Sequence, residues 1–177
     1  MSASKWKRLI LIGGLISLLL TACSSTELSQ PEEAYIDYLN KIQSEDAKIY
    51  TKGLSYIYYG KNKQAKVNYE GLKYETKWKK GGKRHSFRIM IAVHPEDSPF
   101  DSTATLLFKY PKEDCKRMGK LVGNEQQIPK SNKIYQVHLK KVDDQWKIDL
   151  TRPGTELKKQ IEDIDWKEAK MKLEIPK

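Results

Sequence analysis

The chain has 177 residues, 33 Lys and Arg against 23 Asp and Glu, and a formal net charge of +10 at pH 7. That length supports one domain with a sizeable core and leaves too little chain for two. Only two cysteines are present, which excludes a disulfide framework, so the fold must stand on packing, and 17 aromatic residues are available for it.

The first residues have the three-part layout of a secretory signal. Lys5, Lys7 and Arg8 precede an apolar run from Leu9 to Leu20, and small residues Thr21 and Ala22 stand just before Cys23. As a helix the run would rise only about 18 Å, short of the roughly 30 Å hydrocarbon core, and Gly13, Gly14 and Ser17 interrupt it, so it reads as a signal rather than a transmembrane anchor. Leu20-Thr21-Ala22-Cys23 resembles the lipobox of bacterial lipoproteins. The resemblance implies that residues 1–22 are removed, that Cys23 carries a diacylglyceryl group on its sulfur, and that the chain is held by lipid on the extracytoplasmic face of a bacterial cell membrane. The bilayer is then one partner, and an envelope protein or a small ligand the other. Removal of the three basic residues of the signal leaves 30 basic against 23 acidic residues, a balance of +7, which adds attraction to anionic headgroups or wall polymers. Nucleic acid is not an expected partner for an exported chain. Cys115 is left without a partner, and its neighbours Asp114 and Lys116 pull a thiolate in opposite senses, so it reads as a structural thiol.

Residues 23–30 form a polar tether, and the domain spans residues 31–177. Ser29 and Glu32 make a capping box with Pro31 in the first turn, which predicts a helix from about Gln30 to Gln43. Ala34, Tyr35, Tyr38, Leu39 and Ile42 fall on one stripe of it. Ser44 and Asp46 restart the pattern for a second helix through Ala47, Ile49, Tyr50, Leu54 and Ile57, weakened by Gly53 and by the β-prone run Tyr56 to Tyr59. Beyond Gly60 the period becomes two. Val67 to Trp78 predicts strand, Lys79 to Lys83 a hairpin turn around Gly81 and Gly82, and Ser86 to Val93 the return strand with Phe87, Ile89, Ile91 and Val93 on one face. Thr103 to Tyr110 is apolar through its middle, which suits a central strand covered on both sides. Residues 111–132 read as a long polar connection with room for one short helical turn. A hairpin follows, with strands Ile134 to Val142 and Trp146 to Leu150 joined at Asp143-Asp144-Gln145; Tyr135, Val137 and Leu139 share a face with Trp146, Ile148 and Leu150. Thr155 is read as the cap of a C-terminal helix carrying Leu157, Ile161 and Ile164.

The expected fold is α+β, with N-terminal helices packed on a curved antiparallel sheet and an extra C-terminal helix. Pro31-Glu32-Glu33-Ala34, Ser44-Glu45-Asp46-Ala47 and the run from Val137 to Asp149 resemble the nuclear transport factor 2-like superfamily over about Pro31 to Leu150. The long connection and the final helix depart from its pattern.

That resemblance implies either a binding module or an enzyme with a cone-shaped pocket, in which His138 with Asp149 or Tyr135 would be the acid-base pair. Otherwise His138 is a surface histidine. A scaffold of a secretion or conjugation system and an immunity lipoprotein share the same features. Basic and aromatic residues interleave between Tyr69 and Arg88, and Tyr74, Trp78, Lys80 and Arg84 form a ribbon able to stack on sugar rings. Alternation alone would turn its aromatics inward and its lysines to water. Glu96, Asp97 and Asp101 flank prolines and fit no calcium loop. The sequence contains no nucleophile elbow, phosphate-binding glycine loop or zinc signature, and no cofactor or metal is expected.

Overall fold

The computed structural model describes residues 28–44, 46–61, 82–98, 101–123 and 128–176. The expected lipobox, the expected strand from Val67 to Trp78, the Lys79 to Gly81 part of the expected turn, and Pro99 lie outside the described residues.

Helix α1 spans Gln30–Lys41 and opens on the expected capping box, in which the Glu32 carboxylate accepts the Ser29 backbone N–H at 2.6 Å. Glu33 in its first turn and Lys41 in its last oppose the helix dipole. Helix α2, Ala47–Leu54, is capped by Asp46, whose carboxylate takes the N–H groups of Lys48 and Ile49 at 2.8 and 3.2 Å. A Cβ at Gly53 would stand 2.9 Å from both Ile42 Cγ2 and Lys41 Cβ, so glycine is what lets α2 fold back against the end of α1. The helix stops before Ile57, which together with Tyr58 forms the two-residue strand β1.

The remaining elements are β2 (Gly82–Val93), β3 (Thr103–Lys109), α3 (Lys112–Val122), β4 (Tyr135–Val142), β5 (Gln145–Asp149), β6 (Thr155–Glu156) and β7 (Lys167–Pro176). They give an α+β architecture with a curled seven-stranded sheet of order β1-β5-β4-β3-β2-β7, antiparallel except for β1 beside β5, with β6 alongside the start of β4. Cross-strand pairs Ile91 with Phe108, Leu106 with Val137, Leu139 with Ile148 and Phe87 with Met171 put one apolar face under α1. Leu106 and Leu107 are successive residues of β3 and both are fully buried, as a central strand covered on both faces requires.

Three expectations are corrected. Gly82 and Lys83 belong to β2 itself, where they pair with Pro176 and Ile175, rather than to the turn. The connection after Pro111 holds three turns of helix, α3, ended by Gly123 in the left-handed conformation at φ +71°. Most important, no helix follows Thr155. Thr155 and Glu156 pair with Gln136 and Tyr135, residues 157–166 run irregularly, and Lys167 begins β7 along the far edge of β2. The spacing of Leu157, Ile161 and Ile164 suited a helix, but β4 and β2 both offered unpaired edges to this segment, and ladder pairing with them outweighed a short amphipathic stripe. The stretch between β6 and β7 crosses the sheet face opposite α1, where the Lys109 ammonium sits 4.1 Å above the Trp166 ring.

Helix α3 closes an edge. Strand β3 ends opposite Met90, so the first half of β2 would present bare backbone groups on that side. Asp114 accepts the Arg88 backbone N–H at 3.2 Å and Arg117 donates to the Ser86 carbonyl, so two side chains one turn apart on α3 take the place of a neighbouring strand.

Candidate functional site

Helix α1, the turn after α2 and the β4–β5 hairpin meet around an open groove of about 810 Å³. Three short segments build it. Helix α1 contributes Glu33, Asp37 and Lys41, one turn apart on a single face; the α2–β1 turn brings Ser55 and Tyr56; the hairpin brings Gln145 and Trp146. The hairpin turn places Asp143 and Asp144 at φ 51° and 60°, both left-handed, as a two-residue type I′ connection requires. This geometry fixes Trp146 opposite Lys141, on the same sheet face as Ile148. Trp146 is half-buried against the core, and the rest of its surface lines the groove.

Within the groove Asp37 Oδ2 accepts the Tyr56 hydroxyl at 2.5 Å and pairs with the Lys41 ammonium. Burial pushes the Asp37 carboxyl upward, but the hydrogen bonds from Lys41 and Tyr56 outweigh it and hold the group below its usual value. Burial lowers Lys41 less than Asp37 and Tyr56 raise it, and the hydrogen bond to Asp37 raises Tyr56. The Lys41 ammonium also lies 5.3 Å from the centre of the Tyr56 ring. At neutral pH the trio is therefore an ion pair of Asp37 and Lys41 with the neutral Tyr56 hydroxyl donating to it, suited to holding donors and acceptors in place rather than to exchanging protons.

The sequence-based candidates lie elsewhere. His138 and Asp149 come close together, but on the sheet face away from α1, and neither lines the groove. His138 Nδ1 meets the Thr105 hydroxyl at 3.3 Å. Burial, and then Arg152, lowers the His138 pKa, with Asp149 and Asp97 opposing them in part. One Asp149 oxygen accepts the Thr151 N–H at 2.9 Å and its hydroxyl at 2.5 Å, closing the turn that leaves β5. Tyr135 stacks on Phe108 in the interior, with ring centres 5.6 Å apart. Arg84 is exposed on β2 with its guanidinium 3.5 Å from the Ser44 hydroxyl, while Tyr74, Trp78 and Lys80 lie outside the described residues, as do Leu20, Thr21, Ala22 and Cys23. Asp97 and Asp101 cap backbone N–H groups of Thr105 and Ser98. Among the described residues no group of three or more His, Cys, Asp or Glu is placed to hold a metal ion, and no helix is long and apolar enough to cross a membrane. The Cys115 thiol is raised by burial first and by Asp114 second, which keeps it protonated and inert.

Where a cone-shaped pocket would open under α1, aromatic side chains fill the space. Tyr35 packs on Phe108 at 5.5 Å and on Tyr38 at 6.2 Å, and Phe108 meets Tyr110 edge-on at 6.1 Å. The Tyr110 hydroxyl is so enclosed that burial pushes its pKa up to about 12.

No local pattern marks the groove, because its parts are about 15 and 90 residues apart in the chain. The one available signal was Trp146, a large aromatic in a short hairpin strand, next to the polar Gln145. No protein family, no curated protein and no solved structure matches the chain.

Proposed function

We propose that this protein is a lipid-anchored, non-catalytic binding module of the bacterial cell envelope, working through its surface groove. The observation that carries the binding half is the packed aromatic interior around Phe108, which gives the space beneath α1 to core and leaves the outer groove as the place for a ligand. The lipobox at Leu20 to Cys23 carries the anchoring half. Gln30, at the mouth of the groove, follows Cys23 by seven residues, so even a fully extended tether keeps it within about 25 Å of the lipid.

The arrangement is further read as nuclear transport factor 2-like. Two helices precede a curled sheet, α1 lies across it, and a Trp-bearing hairpin stands next to the centre. Strand β7 at the far edge is an addition to that pattern.

Metabolic labelling with an alkyne fatty acid in a bacterial host tests the anchor. Label and membrane fractionation in the unaltered chain, both lost in Cys23→Ser, are the expected result; an unlabelled, freely released parent chain overturns it. Photo-crosslinking from Lys52, at the rim of the groove, should capture a ligand that a probe at Lys130 does not, and equal capture from both positions overturns the assignment of the groove.

A further inference from the structure

The geometry points to a ligand class for the groove: a polyhydroxylated chain of neutral or N-acetylated hexoses, stacked on Trp146. This deepens the binding-module reading and rests on it, but it does not rest on the lipid anchor.

The shape comes first. A space of about 810 Å³ falls within the roughly 300–1,000 Å³ of small-ligand sites, and it is open to solvent rather than enclosed, which admits part of a longer chain. The lining chemistry then narrows the occupant. Glu33, Asp37 and Asp144 line the groove together with Lys41 and Lys52, so both signs of charge face the same space. A compact anion meets carboxylates there, and a compact cation meets ammonium groups. An apolar ligand would displace water from these groups and return no hydrogen bond for it. Hydroxyl groups satisfy both signs, because each is donor and acceptor at once.

Two details make the site a prepared one. Lys41 and Tyr56 both bind Oδ2 of Asp37, so among the described residues Oδ1 has no partner and is held as an acceptor facing solvent in the groove. Holding it there before the ligand arrives lowers the entropic cost of binding. Trp146 is braced against the core, so its exposed surface is a rigid platform with a polar N–H, the combination that suits the apolar face and hydroxyl rim of a sugar ring.

The test is calorimetric titration of the full chain in detergent with chitotetraose, using both the parent and Cys23→Ser. Binding in both should persist in about 0.5 M salt, where the Debye length is only roughly 4 Å and adhesion of a basic protein is screened. Trp146→Ala should weaken it at least about tenfold. Trp146 also packs on the core, so Glu33→Lys and Gln145→Ala, both at exposed positions, serve as independent variants, and each should weaken binding several-fold, Gln145→Ala with unchanged thermal unfolding and Glu33→Lys with only the small loss that a reversed charge in the first turn of α1 brings. No heat at millimolar oligosaccharide, binding abolished by salt, or binding indifferent to all three substitutions overturns the assignment, the last also if the ligand retained is a peptide. Two sources share this chemistry. Cosedimentation with purified peptidoglycan sacculi assigns wall glycan, whereas capture on vesicles containing a diglucosyl lipid assigns a glycolipid headgroup. A parent chain that binds sugar but is not acylated in the cell overturns the anchor alone; an acylated parent chain that ignores sugar overturns the glycan alone.

Discussion

Glu32 Oε2 lies 3.1 Å from Lys167 Nζ, joining the first turn of α1 to the first residue of β7. The same oxygen accepts the Ser29 backbone N–H, so one carboxylate, 1% exposed, caps a helix and pins the last strand of the sheet under it. Lys167 pairs with Ile91 across the sheet and so projects from the core face, which is why its ammonium reaches inward. Lys167→Met leaves the Glu32 charge buried and uncompensated and should destabilise the fold by about 3 kcal/mol. Adding Glu32→Gln should recover part of that loss, because the charge is removed as well. Urea denaturation of the two single variants and the double variant checks both; additive losses would mean the two groups are not coupled.

Asp114 carries the edge closure on β2. Its Oδ2 takes Arg88 Nε at 2.8 Å as well as the Arg88 backbone N–H, and its Oδ1 takes Arg117 Nη2 at 3.0 Å. Asp114→Asn keeps the shape but loses the charge and an acceptor, with an expected cost of about 2 kcal/mol. The freed strand edge should also promote self-association, visible as a larger species in sedimentation velocity. A variant that is destabilised but strictly monomeric would show that α3 braces β2 without guarding its edge.

The β4–β5 turn has room for improvement. Asp144 is exposed and left-handed, a conformation that glycine adopts without cost from a Cβ. Asp144→Gly should stabilise the protein by about 0.5–1 kcal/mol and raise its melting temperature, at the expense only of an exposed 3.6 Å contact with Lys141. Calorimetry reads the shift directly.

His138 predicts an acid limb in the stability profile. Burial and Arg152 hold its folded pKa below the ordinary histidine value, so below about pH 6.5 the unfolded chain binds the proton more readily than the folded one. The contribution of neutral His138 is therefore complete above that pH and is lost as the pH falls through the folded pKa. His138→Gln should flatten the dependence between pH 6.5 and the carboxylate range, measured as denaturation midpoint against pH. An unchanged slope would assign the acid limb to other groups.

Much of the fold was legible because it obeys local rules. Ser29 and Glu32 announce α1, and the alternation of Phe87, Ile89 and Ile91, or of Val137 and Leu139, marks strands that bury one face only. Helix α3 was harder to see, since its apolar stripe is short, Cys115 and Met118 with the half-exposed Leu121 and Val122, and Pro111 offers no capping side chain. Its acidic first turn and Gly123 were the usable signals. Strand β7 had a clear one: Ala169, Met171 and Leu173 alternate with charged residues. The stronger helical spacing of the residues just before it drew attention away. For the site, the sequence supplied Trp146 but pointed to His138, because a titratable side chain is conspicuous in a sequence and a shared surface between distant segments is not.

By itself the sequence determined the positions of the first helices, the central strands and the Trp146 hairpin, all of them consequences of caps, turns and periodicity within a few residues. Tertiary structure alone decided that the last segment is a strand, that Glu32 is buried against Lys167, and that Asp37, Tyr56 and Trp146 share one groove. The reason is physical: each of these depends on which unpaired edge or uncompensated charge a distant part of the chain presents, and no local spacing encodes that.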